Sequence, residues 1–231
     1  MKIGGFQELT LIDYPGKVAS LVFTVGCNFR CKYCYNIDLL SDEYFNKSDR
    51  KEISEDYILK FVEDHSKMID AVAITGGNPL IQYDLPLFCQ KIKWLNKNVK
   101  IDTNGSNPEM LEKLITKKLV DYVAMDLKAP LDKYKQITSY DNSENITKSI
   151  NILKNSGIPH EFRMTLYPEL TKDDICRAID LIPGETIYLQ NFEPAHAYSE
   201  DARNLKALSK ELIEQIAEEK KSVANVHLRG F

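Results

Sequence analysis

The hydrophobic pattern of the chain switches repeatedly between two periods. Residues 18–25, Val-Ala-Ser-Leu-Val-Phe-Thr-Val, are short, apolar and rich in β-branched side chains, as a strand buried on both faces is. Comparable runs recur at 71–75, 99–103, 122–127, 160–166 and 186–190. Between them apolar residues return every three or four positions, which predicts amphipathic helices at about 54–68, 84–96, 108–118, 143–156, 171–182 and 199–221. Residues suited to capping mark the helix starts: Ser54, Asp84, Asn107 ahead of Pro108, Ser143, Thr171 and Ser199.

Six strand–helix alternations predict parallel β/α units with right-handed crossovers, an α/β fold. Six units are two short of an eightfold barrel, so the expected architecture is a partial, open (β/α)6 TIM-like barrel of parallel strands, with a doubly wound open sheet as the alternative. No linker, repeat or low-complexity tract divides the chain, and residues 1–231 are expected to form a single domain. Thirty basic residues against 34 acidic ones, a net charge of -4, leave no footprint for a nucleic-acid backbone. The amino terminus, Met1-Lys2-Ile3-Gly4-Gly5-Phe6, lacks the apolar core of a signal peptide, and no run approaches the roughly 18 apolar residues of a membrane span. A cytoplasmic location without membrane or nucleic-acid partners is expected.

That location decides how the five cysteines are read. Cytoplasmic thiols stay reduced and five is an odd count, so metal or redox chemistry explains a cysteine cluster better than disulfides do. Cys89 and Cys176 each stand alone in a helical pattern and read as small buried apolar residues. Cys27, Cys31 and Cys34 crowd together directly after the first strand. In a parallel β/α sheet the ligand sits at the carboxyl ends of the strands, so the residues just past each strand carry the chemistry. After the second strand comes Thr75-Gly76-Gly77-Asn78-Pro79, after the third Asp102-Thr103-Asn104-Gly105, and near the end of the fourth Met125-Asp126-Leu127-Lys128. The fifth carries Arg163, and His196 comes after the sixth. The three cysteines read as a ligand set. A structural zinc needs a fourth ligand at short spacing, and none comes soon after Cys34; His65 is distant and on an expected helix. An iron–sulfur cluster accepts three thiolates and keeps one iron open for a substrate or cofactor, and it is the favoured occupant.

Cys27-Asn28-Phe29-Arg30-Cys31-Lys32-Tyr33-Cys34 resembles the C-x3-C-x-aromatic-C motif of radical S-adenosylmethionine enzymes. The resemblance continues through Leu11-Ile12-Asp13-Tyr14-Pro15-Gly16-Lys17, Thr75-Gly76-Gly77, Asp102-Thr103-Asn104-Gly105-Ser106, Met125-Asp126-Leu127-Lys128-Ala129-Pro130 and Glu161-Phe162-Arg163. Over essentially the whole chain these segments are similar to the anaerobic ribonucleoside-triphosphate reductase activating proteins, a family of glycyl-radical enzyme activases. The pyruvate formate-lyase activating enzymes are resembled more distantly. The resemblance implies one 4Fe-4S cluster on Cys27, Cys31 and Cys34, with S-adenosylmethionine chelated by the open iron. One electron from the reduced cluster then cleaves the sulfonium to methionine and a 5'-deoxyadenosyl radical, which abstracts a hydrogen atom. It further implies a large glycyl-radical enzyme as partner, anaerobic ribonucleotide reductase being the expected one, and a flavodoxin- or ferredoxin-type electron donor.

Individual roles come from the same resemblance. Tyr33 packs beside the adenine, and Gly76 and Gly77 let the backbone approach the methionine portion. Asp102, Asn104, Lys128, Arg163 and His196 are cofactor-binding candidates, Lys128 and Arg163 toward the carboxylate or ribose. Asp102, Thr103 and Asp126 match a monovalent-cation site, which also meets the physical need for positive charge between two carboxylates at adjacent strand ends. Asp13 and Tyr14, ahead of the first strand, line the lateral gap of the open barrel for an incoming peptide. Plainer readings stand beside these: a Gly-Gly turn, Asp102 capping the Asn104-Gly105 turn, Lys128 or Arg163 as a paired structural charge, a solvated His196, and a simple Pro15-Gly16 turn. Asn78 departs from the Gly-Gly-Glu-Pro of most relatives. Its amide would accept the cofactor's ammonium with a bond worth about 1 kcal/mol, where a charged acceptor gives about 1.5 to 3. The competing functions are a radical enzyme acting on a small molecule or nucleoside precursor, and a non-catalytic iron–sulfur electron carrier; a carrier normally has a fourth cysteine.

Overall fold

Eight strands lie side by side in one sheet, in sequence order. The structure, a computed structural model, describes residues 1–231 apart from the side chain of His196. The first strand, β1 (Ile3–Thr10), runs antiparallel to β2 (Ala19–Thr24). Then come β3 (Ala71–Gly76), β4 (Asn98–Thr103), β5 (Tyr122–Asp126), β6 (His160–Thr165), β7 (Thr186–Gln190) and β8 (Asn225–Arg229), each parallel to its predecessor. A doubly wound sheet reverses its strand order at a switch point. This one does not, and among the described residues its two edges, β1 and β8, do not pair with each other. The architecture is the expected α/β one, an open, partial barrel.

The strands β2 to β7 are the six that hydrophobic runs announce, whereas β1 and β8 are additions. Their composition hides them: β1 is Ile-Gly-Gly-Phe-Gln-Glu-Leu-Thr, and β8 is Asn-Val-His-Leu-Arg, in which only Val226 and Leu228 are apolar. Helices α1 (Glu55–Asp64), α2 (Leu85–Trp94) and α3 (Pro108–Thr116) sit where the period predicts. A short α4 (Tyr134–Thr138), which periodicity does not reveal, precedes α5 (Ser143–Ser156) and α6 (Lys172–Ile179). The single helix expected at 199–221 is two, α7 (Glu200–Arg203) and α8 (Lys210–Lys220). Ser209 is the reason, because its hydroxyl accepts the backbone N–H of Leu212 at 3.3 Å and starts a new helix. Ser54, Asn107, Thr171 and Ser199 cap as expected. Asp84 instead binds the amino-terminal ammonium at 2.6 Å, and Ser143 lies inside α5, one residue past the boundary.

Side chains alternate across the strands. Val22, Ile74, Ile101, Met125, Phe162 and Leu189 join Ile58, Phe88, Leu111, Ile150, Ile175 and Ile213 of the helices in one buried core. Each such side chain stabilises the fold by about 1.5–3 kcal/mol. Among the described residues no helix is long and apolar enough to cross a membrane.

Candidate active site

The cysteine loop after β2 and the carboxyl ends of β3 to β7 surround one cavity, whose wall includes Cys27, Cys31, Cys34, Asp126, Lys128 and Arg163. Backbone bonds hold the loop over the sheet: Gly26 donates to Leu39 O at 2.8 Å, Cys27 to Leu40 O at 3.1 Å and Arg30 to Thr138 O at 2.7 Å. Phe29, 2% exposed, wedges it against the rings of Tyr140 and Tyr134. None of the cysteines forms a disulfide. Burial pushes all three thiols of the loop up, Cys31 to about 12. Thiols in such a place ionise when a cationic metal group binds them.

Below the loop runs a chain of alternating charges. Arg163 donates from Nη1 to Asp102 Oδ2 at 3.1 Å and from Nε to Asp126 Oδ1 at 3.0 Å. Lys128 donates to Asp126 Oδ2 at 3.0 Å, and the Lys100 ammonium binds Asp102 Oδ1. All four carboxylate oxygens are therefore taken by protein cations. Thr103 is committed too, donating to Asn78 Oδ1 and accepting from the Gly105 N–H, both at 3.1 Å. Where a monovalent cation was expected, the positive charge between the two carboxylates in this structure is the Arg163 guanidinium. Burial would raise the Asp126 carboxyl, but Arg163 and Lys128 outweigh it and hold the group at about 2. Burial would lower Lys128, and Asp126 and Cys31 raise it instead.

The remaining candidates divide. Tyr33 lines the cavity, packs on Tyr167 with ring centroids 5.0 Å apart and lies beneath the Lys128 ammonium at 5.7 Å. It is 3% exposed, and its buried hydroxyl has no hydrogen-bond partner among the described residues. Gly76 and Gly77 also line the cavity, but the protein's own backbone already demands them. A Cβ on Gly76, at φ +112°, would overlap the Thr24 backbone, and one on Gly77 would overlap the Gly26 carbonyl. Asn104 is on the wall, with its amide reaching Cys27 Sγ at 3.9 Å.

Asn78 is fully buried and bonds to the cavity wall through Thr103. Its oxygen accepts from Thr103, and its NH2 donates to Ser106 Oγ at 3.2 Å and Asn28 Oδ1 at 3.3 Å, so it is a strut of the loops and not a free acceptor for an ammonium. Asp13 and Tyr14 are likewise not brought to the cysteines. They stand at the amino end of β2, where Asp13 accepts from the Thr10 hydroxyl at 2.5 Å and Tyr14 packs with Ala19, Ala71 and Tyr122. The His196 side chain lies outside the described residues. Sequence reasoning missed Asn28 and Ser106, which tie the cysteine loop to the β4 loop at 2.8 Å, and the wall residues Thr165 and Gln190. Thr165 and Gln190 are the last residues of β6 and β7, so strand ends alone could have found them.

The sequence profile described as the Radical SAM superfamily matches residues 21–182. The chain belongs to the radical SAM superfamily. A Methanocaldococcus jannaschii protein, named as a candidate glycyl-radical enzyme activating enzyme, is 34% identical over 98% of this chain and 95% of its own length. The pyruvate formate-lyase-activating enzyme of Clostridium pasteurianum is 26% identical over 91% of this chain and 92% of its own. Among solved structures, Streptococcus suis SuiB bound to S-adenosylmethionine shares the fold, with a TM-score of 0.66 at 14% identity. That match covers 90% of this chain and 49% of SuiB, about half its length.

Membership of the radical SAM superfamily implies a 4Fe-4S cluster and S-adenosylmethionine. The residues present fit both. Three thiols share the wall of one cavity, the number that leaves one iron of a four-iron cluster open. Tyr33 of the same wall has a buried hydroxyl without a partner among the described residues, a group that costs about 1–3 kcal/mol while unsatisfied.

Proposed function

We propose that this radical SAM protein is an activase: it reductively cleaves S-adenosylmethionine and installs a glycyl radical on a large partner enzyme, anaerobic ribonucleotide reductase. One observation carries the reading, namely three thiols sharing a cavity wall with the Asp126, Lys128 and Arg163 charges in a chain whose full-length relatives bear activating-enzyme names. A 4Fe-4S cluster on Cys27, Cys31 and Cys34 supplies, when bound, the electron that splits the sulfonium. The chain's own residues do the holding. Lys128 and Arg163 offer charged donors to a carboxylate or ribose, each already oriented by Asp126. Tyr33 offers its ring and its free hydroxyl, and Phe29 and Leu40 close the wall against water. The unpaired edges of the barrel leave a side through which a partner's loop can reach the cavity. A flavodoxin- or ferredoxin-type protein delivers the electron.

The test is anaerobic reconstitution with iron and sulfide, reduction, and chromatography for 5'-deoxyadenosine. Electron paramagnetic resonance is then recorded on a mixture with the host's anaerobic ribonucleotide reductase. Cleavage and a carbon-centred glycyl signal are expected. Cleavage without that signal sinks the activase assignment in favour of a small-molecule substrate, and no cleavage at all favours an electron carrier.

A further inference from the structure

The inner face of the barrel at its open edge has no assigned role. Gln190 lines the cavity, so Tyr188, two residues earlier on β7, shares its face. Arg229 pairs with Gln190 and His227 with Tyr188, which puts both on that inner face of β8. The rings of Tyr188 and His227 stack at 5.1 Å and 24°, and the Arg229 guanidinium lies 4.2 Å from the Tyr188 ring centroid. The three side chains thus form one stack, in which Arg229 stands one strand spacing, about 4.8 Å, from Gln190 of the cavity wall and Tyr188 two residues before it. The face leading there carries small residues on the central strands. A closed barrel fills its interior with Val, Ile and Leu, but here the positions two residues before Thr75 and Asp126 are Ala73 and Ala124.

Charge decides what such a face accepts. Lys100, Arg163 and Lys128 are engaged by Asp102 and Asp126. Glu161 is 3% exposed and accepts the Tyr122 hydroxyl at 2.9 Å. Arg229 and His227 are exposed, and among the described residues neither has a carboxylate partner. A guanidinium held over an aromatic ring keeps N–H donors for bidentate recognition of a carboxylate.

We propose that Tyr188, His227 and Arg229 receive an acidic side chain of the peptide segment that presents the target glycine to the cavity. This rests on the activase reading and adds the chemistry by which the partner segment is chosen. The carboxylate docks on Arg229 at the sheet edge, and the chain continues inward past Gln190.

The test uses the reconstituted holoenzyme and two fluorescein-labelled nine-residue peptides of alanine and serine around a central glycine, one with aspartate and the other with asparagine two residues from it. Fluorescence anisotropy at low salt should show the aspartate peptide binding about fivefold tighter, the upper range for an exposed ion pair. Arg229→Gln should abolish that preference and Arg229→Lys should keep most of it, which separates lost charge from lost structure. Equal binding of the two peptides, binding of neither, or a preference that survives Arg229→Gln overturns the proposal. The two readings fail separately. A wild-type protein that makes 5'-deoxyadenosine but no glycyl radical loses the activase reading. One that charges its partner equally well as wild type and as Arg229→Gln loses this docking site.

Discussion

Arg163→Met removes the cation between Asp102 and Asp126 while keeping much of the side chain's length. Two charge-assisted bonds go, at 3.1 and 3.0 Å. The three side chains are 14%, 11% and 26% exposed, so water replaces the guanidinium only in part. Removing one partner from a buried pair costs about 3–5 kcal/mol. Lys100 and Lys128 remain on the other oxygens, so urea unfolding of the cluster-free protein should show a loss near the lower end, about 3 kcal/mol. The pH dependence carries a further sign. Asp126 is depressed from 3.8 to about 2 in the folded protein, so its charge stabilises the fold above about pH 4, and that stability is lost as pH falls toward 2. At 1.36 kcal/mol per unit the depression is worth about 2 kcal/mol. Without Arg163 the folded value moves back toward the ordinary one, so the stability curves of wild type and variant should stand apart at pH 7 and converge below about pH 4. A variant within about 1 kcal/mol of wild type at pH 7, or a gap that stays constant from pH 5 to pH 3, would refute the pairing as the source of stability.

Three further outcomes are expected. Iron analysis after reconstitution should give about four irons per chain for wild type, Cys89→Ala and Cys176→Ala, and no intact cluster for Cys31→Ala, because only the loop thiols share the cavity; about eight irons would mean a second cluster. Asn78→Glu should destabilise the protein by about 1–3 kcal/mol without tightening S-adenosylmethionine binding by calorimetry, since it sets a charge among Asn28, Thr103 and Ser106; tighter binding would show that the side chain turns into the cavity. Replacing sodium and potassium by choline should leave S-adenosylmethionine affinity unchanged, because protein cations occupy the carboxylate oxygens of Asp102 and Asp126, and a severalfold loss would put a metal ion back there.

Legibility of the fold tracked the strength of each local pattern. Strands β2 to β7 each place buried apolar residues on the helix face, so they read as strands whatever surrounds them. The edges lack that pressure. In β8 four of five residues are exposed, and its strand conformation comes from pairing with β7, a long-range partner that composition does not announce. The break between α7 and α8 was legible in principle, because Ser209 carries the same capping chemistry that marked the other helix starts, but an amphipathic period continuing across it hid the boundary.

At the site, residue types and strand ends were visible while pairings were not. Two aspartates on adjacent strands do demand a cation, and that much is physics of the sequence. Which cation depends on register. Asp126 stands opposite Arg163 in the β5–β6 ladder, and a guanidinium on the neighbouring strand reaches both carboxylates at no cost in recruiting an ion. Asn78 shows the complementary case: adjacency to Gly76-Gly77 suggested the cavity, whereas its amide, just before the 3-10 turn at Pro79, is bonded to Thr103 and Ser106. Register also explains why Arg229 escaped notice. The alternation that puts Arg163 in line with Asp126 puts Arg229 in line with Gln190, but only once β8 is known to be a strand. Among the described residues, the inner-face guanidinium left without a carboxylate therefore sits on the element whose sequence declares itself least.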